Sequence, residues 1–168
     1  MTINELIKLI EQWAIDRELD KNGTIEGQLI KTAEEVAELI IGISKDDIDV
    51  IKDSIGDVFV TLVVGNLISE KKKNLEKIMV DLYEFRQVPY LDSKFEAIKL
   101  LMFDYCDLMA AKNYNSWLHA KVNTIIMVAE LYNLDFVDCV ESAYKEIANR
   151  KGKVVNGAFV KESDLKNE

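Results

Sequence analysis

A chain of 168 residues, 49% of them hydrophobic, is long enough to bury a substantial core and too apolar for a disordered polymer. Its formal net charge of −9 argues against a protein that coats nucleic acid, because such binding needs a basic surface that displaces counterions from phosphates. We therefore expect no nucleic-acid partner.

The apolar residues recur mostly at three- and four-residue spacing. The chain has one proline and seven glycines, which are too few to form the turns of a many-stranded fold. This pattern predicts an all-α helical bundle in which residues 1–168 form one domain. The longest uncharged run, residues 58–69, is shorter than the about 20 residues of a membrane span. The chain has two widely separated cysteines, Cys106 and Cys139, which we expect to be core thiols of a reducing compartment. We therefore predict a soluble, cytoplasmic protein without a membrane partner.

The helical period places seven helices along the chain. They are predicted at about residues 3–18, 25–43, 44 or 46 to 69, 75–83, 93–111, 118–133 and 136–147. Thr2 or Asn4, then Thr24 and Asp135, are suited to cap the first, second and last of them, and Ser44 or Asp46 the third.

Three stretches need a local interpretation. Residues 58–64 are β-branched enough for a strand, but no turn separates them from the preceding helical pattern, so we predict one continuous helix. Pro89 predicts an extended connection at residues 87–90, because the residue before proline avoids helix. Asn113 and Asn115 predict a turn.

The second and third predicted helices carry acidic side chains on one face each. Glu35 and Glu38 share a stripe with Lys31, because positions three and four apart are neighbours on a helix. Asp53 and Asp57 do the same on the next helix. If the two helices form an antiparallel hairpin, four carboxylates converge and repel one another unless cations bind. The spacing thus outlines a metal site, although a solvated acidic face has the same pattern.

Several side chains near this hairpin allow two interpretations. Asp57 leads into a very apolar segment and needs a partner, which could be a salt bridge or a cation. Glu34 is either an outer ligand, a base that orients water, or a solubilising surface residue. Trp13 is suited to core packing, and Arg17 to a solvated helix end.

A basic segment lies at the far end of this acidic chain. It contains four lysines and an arginine, namely Lys145, Arg150, Lys151, Lys153 and Lys161. Guanidinium and ammonium groups beside a metal site would suit a polyphosphate. A solvated basic tail over about residues 149–168 is the alternative from charge alone.

The acidic motif also carries a family resemblance. Glu34-Glu35-x-x-Glu38 followed by Asp57 on the next helix is similar to the EExxE and ExxD pattern of MazG-like all-α nucleoside triphosphate pyrophosphohydrolases, especially the short phage and prophage forms. The position three before Asp57 is Ser54, where the family has glutamate, and the nearest acid is Asp53.

The resemblance extends to both ends of the chain. Upstream it includes Trp13-Ala-x-Asp16-Arg17 and Gln28-x-x-Lys31, and downstream Tyr144-Lys-Glu-Ile and Arg150-Lys-Gly-Lys-x-x-Asn-Gly-x-Phe-x-Lys. Residues 70–130 match no motif of the family.

The resemblance implies a Mg²⁺ site, with Mn²⁺ as the alternative ion, in an enzyme that converts nucleoside triphosphates to monophosphates and pyrophosphate. Its implied ligands are Glu35, Glu38 and Asp57, with Asp53 or Ser54 completing the set, and Glu34 or Glu38 acts as base. The implied substrate-binding residues are Trp13, Arg17, Lys31, Lys145, Asn149, Arg150 and Lys153.

Two other functions agree with the same residues. One is a helical dUTPase-like enzyme, which would prefer dUTP strictly, and the other is a non-enzymatic helical interaction module. The apolar stripes also predict a homo-oligomer, a dimer or a tetramer, because their surface exceeds what one chain can cover. Base and sugar preference do not follow from spacing.

Overall fold

In the computed structural model of this protein, each of the seven predicted helices is present among the described residues, and the all-α prediction is confirmed. The structure describes residues 1–85, 91–110, 114 and 118–165. Its elements are α1 (Ile3–Asp16), α2 (Leu19–Asn22), α3 (Ile25–Lys45), α4 (Ile48–Ile68), α5 (Leu75–Phe85), α6 (Lys94–Ala110), α7 (Leu118–Leu131), α8 (Phe136–Ala148), β1 (Gly152–Val155) and β2 (Ala158–Lys161). The connections predicted at residues 87–90 and at Asn113 and Asn115 lie outside the described residues.

Side-chain caps determine where three of the helices begin. The oxygens of Thr2, Thr24 and Asp135 each accept a hydrogen bond from the backbone N–H three residues further on, as predicted. The cap of α4 was predicted one position or more too early. Asp47 accepts the bond from the Val50 N–H at 3.3 Å, while Asp46 ends α3 in the left-handed conformation with φ of 55°.

A two-residue connection therefore joins α3 and α4 into an antiparallel hairpin, and this hairpin is the centre of the fold. Helix α4 also packs against α1, α7 and α8. Residues 58–67 are all buried, which confirms that this β-branched run is helix and explains its composition, since no face of it meets water. The acidic half of α4 precedes this buried segment.

The carboxyl-terminal segment differs from the predicted tail. Strands β1 and β2 pair antiparallel around Asn156 and Gly157, which have φ values of 50° and 80°; such a turn favours Asn-Gly. The Gly157 carbonyl accepts a hydrogen bond from the Thr24 N–H at 3.0 Å. Gly27 lies so close that a Cβ there would stand 2.6 Å from the Gly157 backbone. The hairpin is thus held against the start of α3.

Two smaller predictions were wrong. The polar turn predicted before Gly23 contains the short helix α2, whose Leu19 is buried in the core. Cys106 was expected in the core and is exposed, whereas Cys139 is buried as predicted. Among the described helices, none combines the length and the hydropathy needed to cross a membrane.

Candidate active site

A cleft of about 430 Å³ opens between α1, α3, α4, α8 and the β-hairpin. Its acidic residues are Glu34, Glu35 and Glu38 from α3, Asp53 and Asp57 from α4, Glu146 from α8, and Asp164 after β2. The antiparallel hairpin therefore brings together all five acids that the sequence singled out. Ser54 is 2% exposed and does not line the cleft, so the structure places Asp53, rather than Ser54, beside Asp57.

Asp57 is the most strongly perturbed acid of the cleft. Burial raises its pKa to about 7, and the neighbouring carboxylates of Glu35 and Asp53 add to the increase. Burial also raises the pKa of Glu35 and of Asp53. Carboxylates whose pKa values rise in this way lack sufficient positive charge nearby.

Lys31 is the local counter-ion of the acids on α3. Its ammonium group pairs with Glu34 and, at 3.2 Å, with Glu35. Burial opposes its charge, but the bonds to these glutamates prevail and raise the pKa of Lys31. The Glu35 side chain is 13% exposed and that of Glu34 is 54% exposed, so Glu35 faces the interior of the cleft and Glu34 its rim.

Helix α8 and strand β2 supply the opposite wall. Arg150 lines the cleft and forms an ion pair with Glu146 one turn earlier. The cleft is also lined by Glu146, Phe159 and Lys161, which lie within the sequence motifs given above but were not predicted to be site residues. The spacing of four between Glu146 and Arg150 is the signal that would have linked the acid to the arginine.

The acids do not form a complete metal cage by themselves. Within the described part of the chain, no three His, Cys, Asp or Glu side chains are arranged to hold one metal ion. A cation bound in this acidic cleft would therefore need further ligands from water or from a substrate.

Trp13 belongs to the wall of the cleft. It is 7% exposed, its indole N–H donates to the Ile147 carbonyl at 2.8 Å, and its ring meets Phe159 edge to face at 5.2 Å. The Arg17 guanidinium lies 4.7 Å from the Trp13 ring centroid. These contacts fix the indole in place, as expected for core packing.

Arg17 holds the carboxyl end of α8 rather than lining the cleft. Its guanidinium donates to the carbonyls of Ala148, Arg150 and Trp13, the shortest bond being 2.7 Å to Arg150. The Ala148 carbonyl lies in the last turn of α8 and has no intrahelical partner, so Arg17 supplies a donor to it. It thereby joins α1 to the segment that carries Arg150.

We expect Arg17→Lys to lower the free energy of unfolding by on the order of 2 kcal/mol, because an ammonium group cannot reproduce this fork of bonds. Urea unfolding followed by circular dichroism measures the change. Lys21→Met, which removes an exposed cation of α2, is the control and should change stability by less than about 0.5 kcal/mol. Wild-type stability of Arg17→Lys would contradict the clamping role.

Three other predicted substrate-binding residues lie outside the cleft lining. Lys145 forms an ion pair with Glu141 at 2.5 Å, Asn149 is exposed at the end of α8, and Lys153 is exposed on β1. Together with Arg17, they are the predicted site residues that the fold does not bring to the acids.

Comparison with known proteins finds a partial match to a phage protein. No protein-family model and no solved structure matches the chain. Over 76 residues it is 49% identical to an uncharacterized 18.2 kDa protein from the rep–hol intergenic region of Haemophilus phage HP1 (strain HP1c1). The match covers 45% of this chain and 47% of the phage protein, so the chain spans about half the length of the relative it matches. The similarity links the chain to a phage protein and assigns no function.

Proposed function

We propose that this protein is a Mg²⁺-dependent nucleoside triphosphate pyrophosphohydrolase, which releases a nucleoside monophosphate and pyrophosphate. The observation that carries the proposal is the convergence of the EExxE acids of α3 with Asp53 and Asp57 of α4 in one cleft, opposite Arg150 and Lys161. Carboxylates and cations in such an arrangement suit a metal–polyphosphate substrate.

The donor set fits Mg²⁺ or Mn²⁺ by its chemistry. Glu35, Glu38, Asp53 and Asp57 offer hard carboxylate oxygens, and the raised pKa values of Glu35, Asp53 and Asp57 indicate a shortage of positive charge. Mg²⁺ commonly keeps water and phosphate ligands, so an incomplete protein cage suffices. When bound, the ion lowers the pKa of a coordinated water and withdraws charge from a phosphate.

The protein's own side chains then have separate roles. Glu38 is exposed at the cleft and has no ion pair within the described residues, which leaves its carboxylate available to orient a water molecule; Glu34, paired with Lys31, is the alternative base. Arg150 and Lys161 neutralise charge on the phosphates. Lys31 becomes available to a phosphate once its carboxylate partners bind a cation.

The apolar end of the cleft supplies a place for the nucleoside. Leu19, Val60, Val64 and Phe159 line it beside the wall formed by Trp13. Transfer of a flat heteroaromatic base from water to such a site costs little free energy, provided that the polar edge of the base finds hydrogen-bond partners.

Product analysis tests this proposal. Purified protein is incubated with Mg²⁺ and each NTP and dNTP in turn, and the products are separated by anion-exchange chromatography. We expect a nucleoside monophosphate and pyrophosphate as first products, whereas orthophosphate and a diphosphate would contradict the proposal. Turnover of dUTP alone would favour the dUTPase-like alternative. No turnover, combined with no thermal stabilisation by Mg²⁺, would favour the interaction module.

The predicted homo-oligomer stays a prediction. It is supported by exposed apolar side chains on α6, where Phe95 and Phe103 are each 69% exposed and Met102 and Met109 are about half exposed. Light scattering of the purified chain measures its mass in solution.

A further inference from the structure

The apolar end of the cleft contains a buried amide side chain whose nitrogen is hydrogen-bonded and whose oxygen has no donor among the described residues. Gln28 on α3 is 5% exposed and lines the cleft. Its Nε2 donates to the Thr61 carbonyl at 3.0 Å. Because a carbonyl can only accept, the amide nitrogen must face Thr61, and Oε1 must point away from it. No described residue donates a hydrogen bond to Oε1.

This oxygen is not sealed inside the core. The fully enclosed polar atoms that lack a partner in the described structure are in Asn4 and Asn123, and Gln28 is not among them. Gln28 Oε1 therefore keeps access to open space, and the space that Gln28 lines is the cleft. An acceptor that faces the cleft and has no donor among the described residues is suited to receive a hydrogen bond from a ligand.

A network behind Gln28 fixes its orientation. The Tyr114 hydroxyl donates to the same Thr61 carbonyl at 3.1 Å and lies 3.2 Å from Thr32 Oγ1. Thr32 Oγ1 in turn lies 2.9 Å from the Gln28 backbone carbonyl. Tyr114 is 3% exposed and fits against Gly65, where a Cβ would stand 2.0 Å from its ring. Burial raises the pKa of Tyr114, so its phenol remains a donor.

The position along the hairpin suits a nucleobase. Gln28 precedes Glu35 by seven residues on α3, and Thr61 follows Asp57 by four on α4. At a rise of about 1.5 Å per residue, the amide lies roughly 6 to 10 Å along the helices from the acids. That separation is comparable with the length of a nucleoside whose phosphates lie among the carboxylates.

We propose that Gln28 is a specificity-determining residue of this cleft, whose Oε1 accepts a hydrogen bond from an N–H on the edge of the nucleobase. Tyr114 is a positioning residue, which acts on Gln28 through the Thr61 carbonyl. The inference rests on the proposed function in so far as the cleft binds nucleoside triphosphates. It adds that the base must present a ring N–H or an exocyclic amino group toward α3.

Paired nucleotides that differ in one donor test the inference. We would measure binding of α,β-imido triphosphates by calorimetry with Mg²⁺ present. The pairs are adenosine and purine riboside, cytidine and pyrimidin-2-one riboside, and uridine and N3-methyluridine. For the natural base that binds most tightly, we expect that removal of its N–H or amino donor weakens binding by about 10-fold or more.

Variants assign this discrimination to the amide. Gln28→Met keeps the side-chain length and should bind both members of the pair equally. Gln12→Met is the matched control, because Gln12 is exposed on α1 and bonds only to Asp16; it should discriminate like wild type. Tyr114→Phe keeps the ring that fits Gly65 and should lose part of the discrimination, without weaker binding of the donor-deficient member.

Each outcome has a defined meaning. Equal binding of both members of every pair by the wild type overturns the inference without any variant, and so does full discrimination by a folded Gln28→Met. Unchanged discrimination by Tyr114→Phe overturns its positioning role. Donor-dependent binding without pyrophosphate release would leave this inference standing and refute the proposed function, whereas no binding of any probe refutes both.

Discussion

Glu38→Gln should reduce pyrophosphate release by about 1,000-fold or more, while the helical circular-dichroism signal stays that of wild type. The carboxylate lies at the cleft on α3, on the same stripe as Glu35, and it is exposed. Its replacement by an amide of equal size therefore removes a charge from the proposed chemistry without opening a cavity. Losses of this size are typical when a group that acts in the transition state is removed.

The control for this variant is Glu26→Gln. Glu26 is an exposed glutamate in the first turn of α3 and does not line the cleft. Initial rates with a saturating nucleoside triphosphate and Mg²⁺ should be unchanged for this variant. If Glu38→Gln retained more than about a tenth of the wild-type rate, Glu38 would have no essential role.

Asp57→Asn should have two opposite effects, a loss of activity and a gain of stability in the absence of divalent cations. Burial and the neighbouring acids raise the pKa of Asp57 to about 7, well above that of an aspartate in the unfolded chain. An acid whose folded pKa is raised contributes stability that is lost as the pH rises through the folded pKa. At pH 8 the ionised Asp57 therefore destabilises the metal-free protein.

We expect Asp57→Asn to increase the free energy of unfolding at pH 8 in EDTA by on the order of 2 kcal/mol. The gain should shrink as the pH is lowered from 8 toward 5, because wild-type Asp57 then binds a proton. Thermal unfolding with and without Mg²⁺ provides the second measurement. Mg²⁺ should stabilise the wild type and have little effect on the variant.

Asp49→Asn is the matched control, since Asp49 is exposed in the first turn of α4 and lies outside the acidic cleft. It should change the stability in EDTA by less than about 0.5 kcal/mol and leave the response to Mg²⁺ unchanged. If Asp57→Asn were less stable than wild type in EDTA and responded normally to Mg²⁺, Asp57 would be a structural residue with satisfied partners.

The acidic part of the site was predictable because it depends on local periodicity. Glu35 and Glu38 lie on one stripe of α3, and Asp53 and Asp57 lie on one stripe of α4. The two-residue connection between α3 and α4 is so short that these long helices must pack as an antiparallel hairpin. Helical spacing together with that geometry brings the four carboxylates to one cleft, and no other part of the fold needs to be known.

The remaining part of the site depends on contacts between distant segments. Arg17 meets Ala148 and Arg150 more than 130 residues later in the chain, and Tyr114 reaches Thr61 across 53 residues. Side-chain spacing cannot reveal such pairs. The β-hairpin was missed for a related reason: its basic composition suggested a solvated tail, whereas Asn156-Gly157 and the contact with Gly27 decide its structure.

Hydrolysis in water labelled with ¹⁸O tests most directly whether the protein directs a water molecule to the α-phosphorus of a nucleoside triphosphate. The reaction is run to completion with Mg²⁺, and mass spectrometry locates the label in the products. The proposal predicts one ¹⁸O atom in the nucleoside monophosphate and none in pyrophosphate. Label in pyrophosphate, or orthophosphate as the first product, would contradict it.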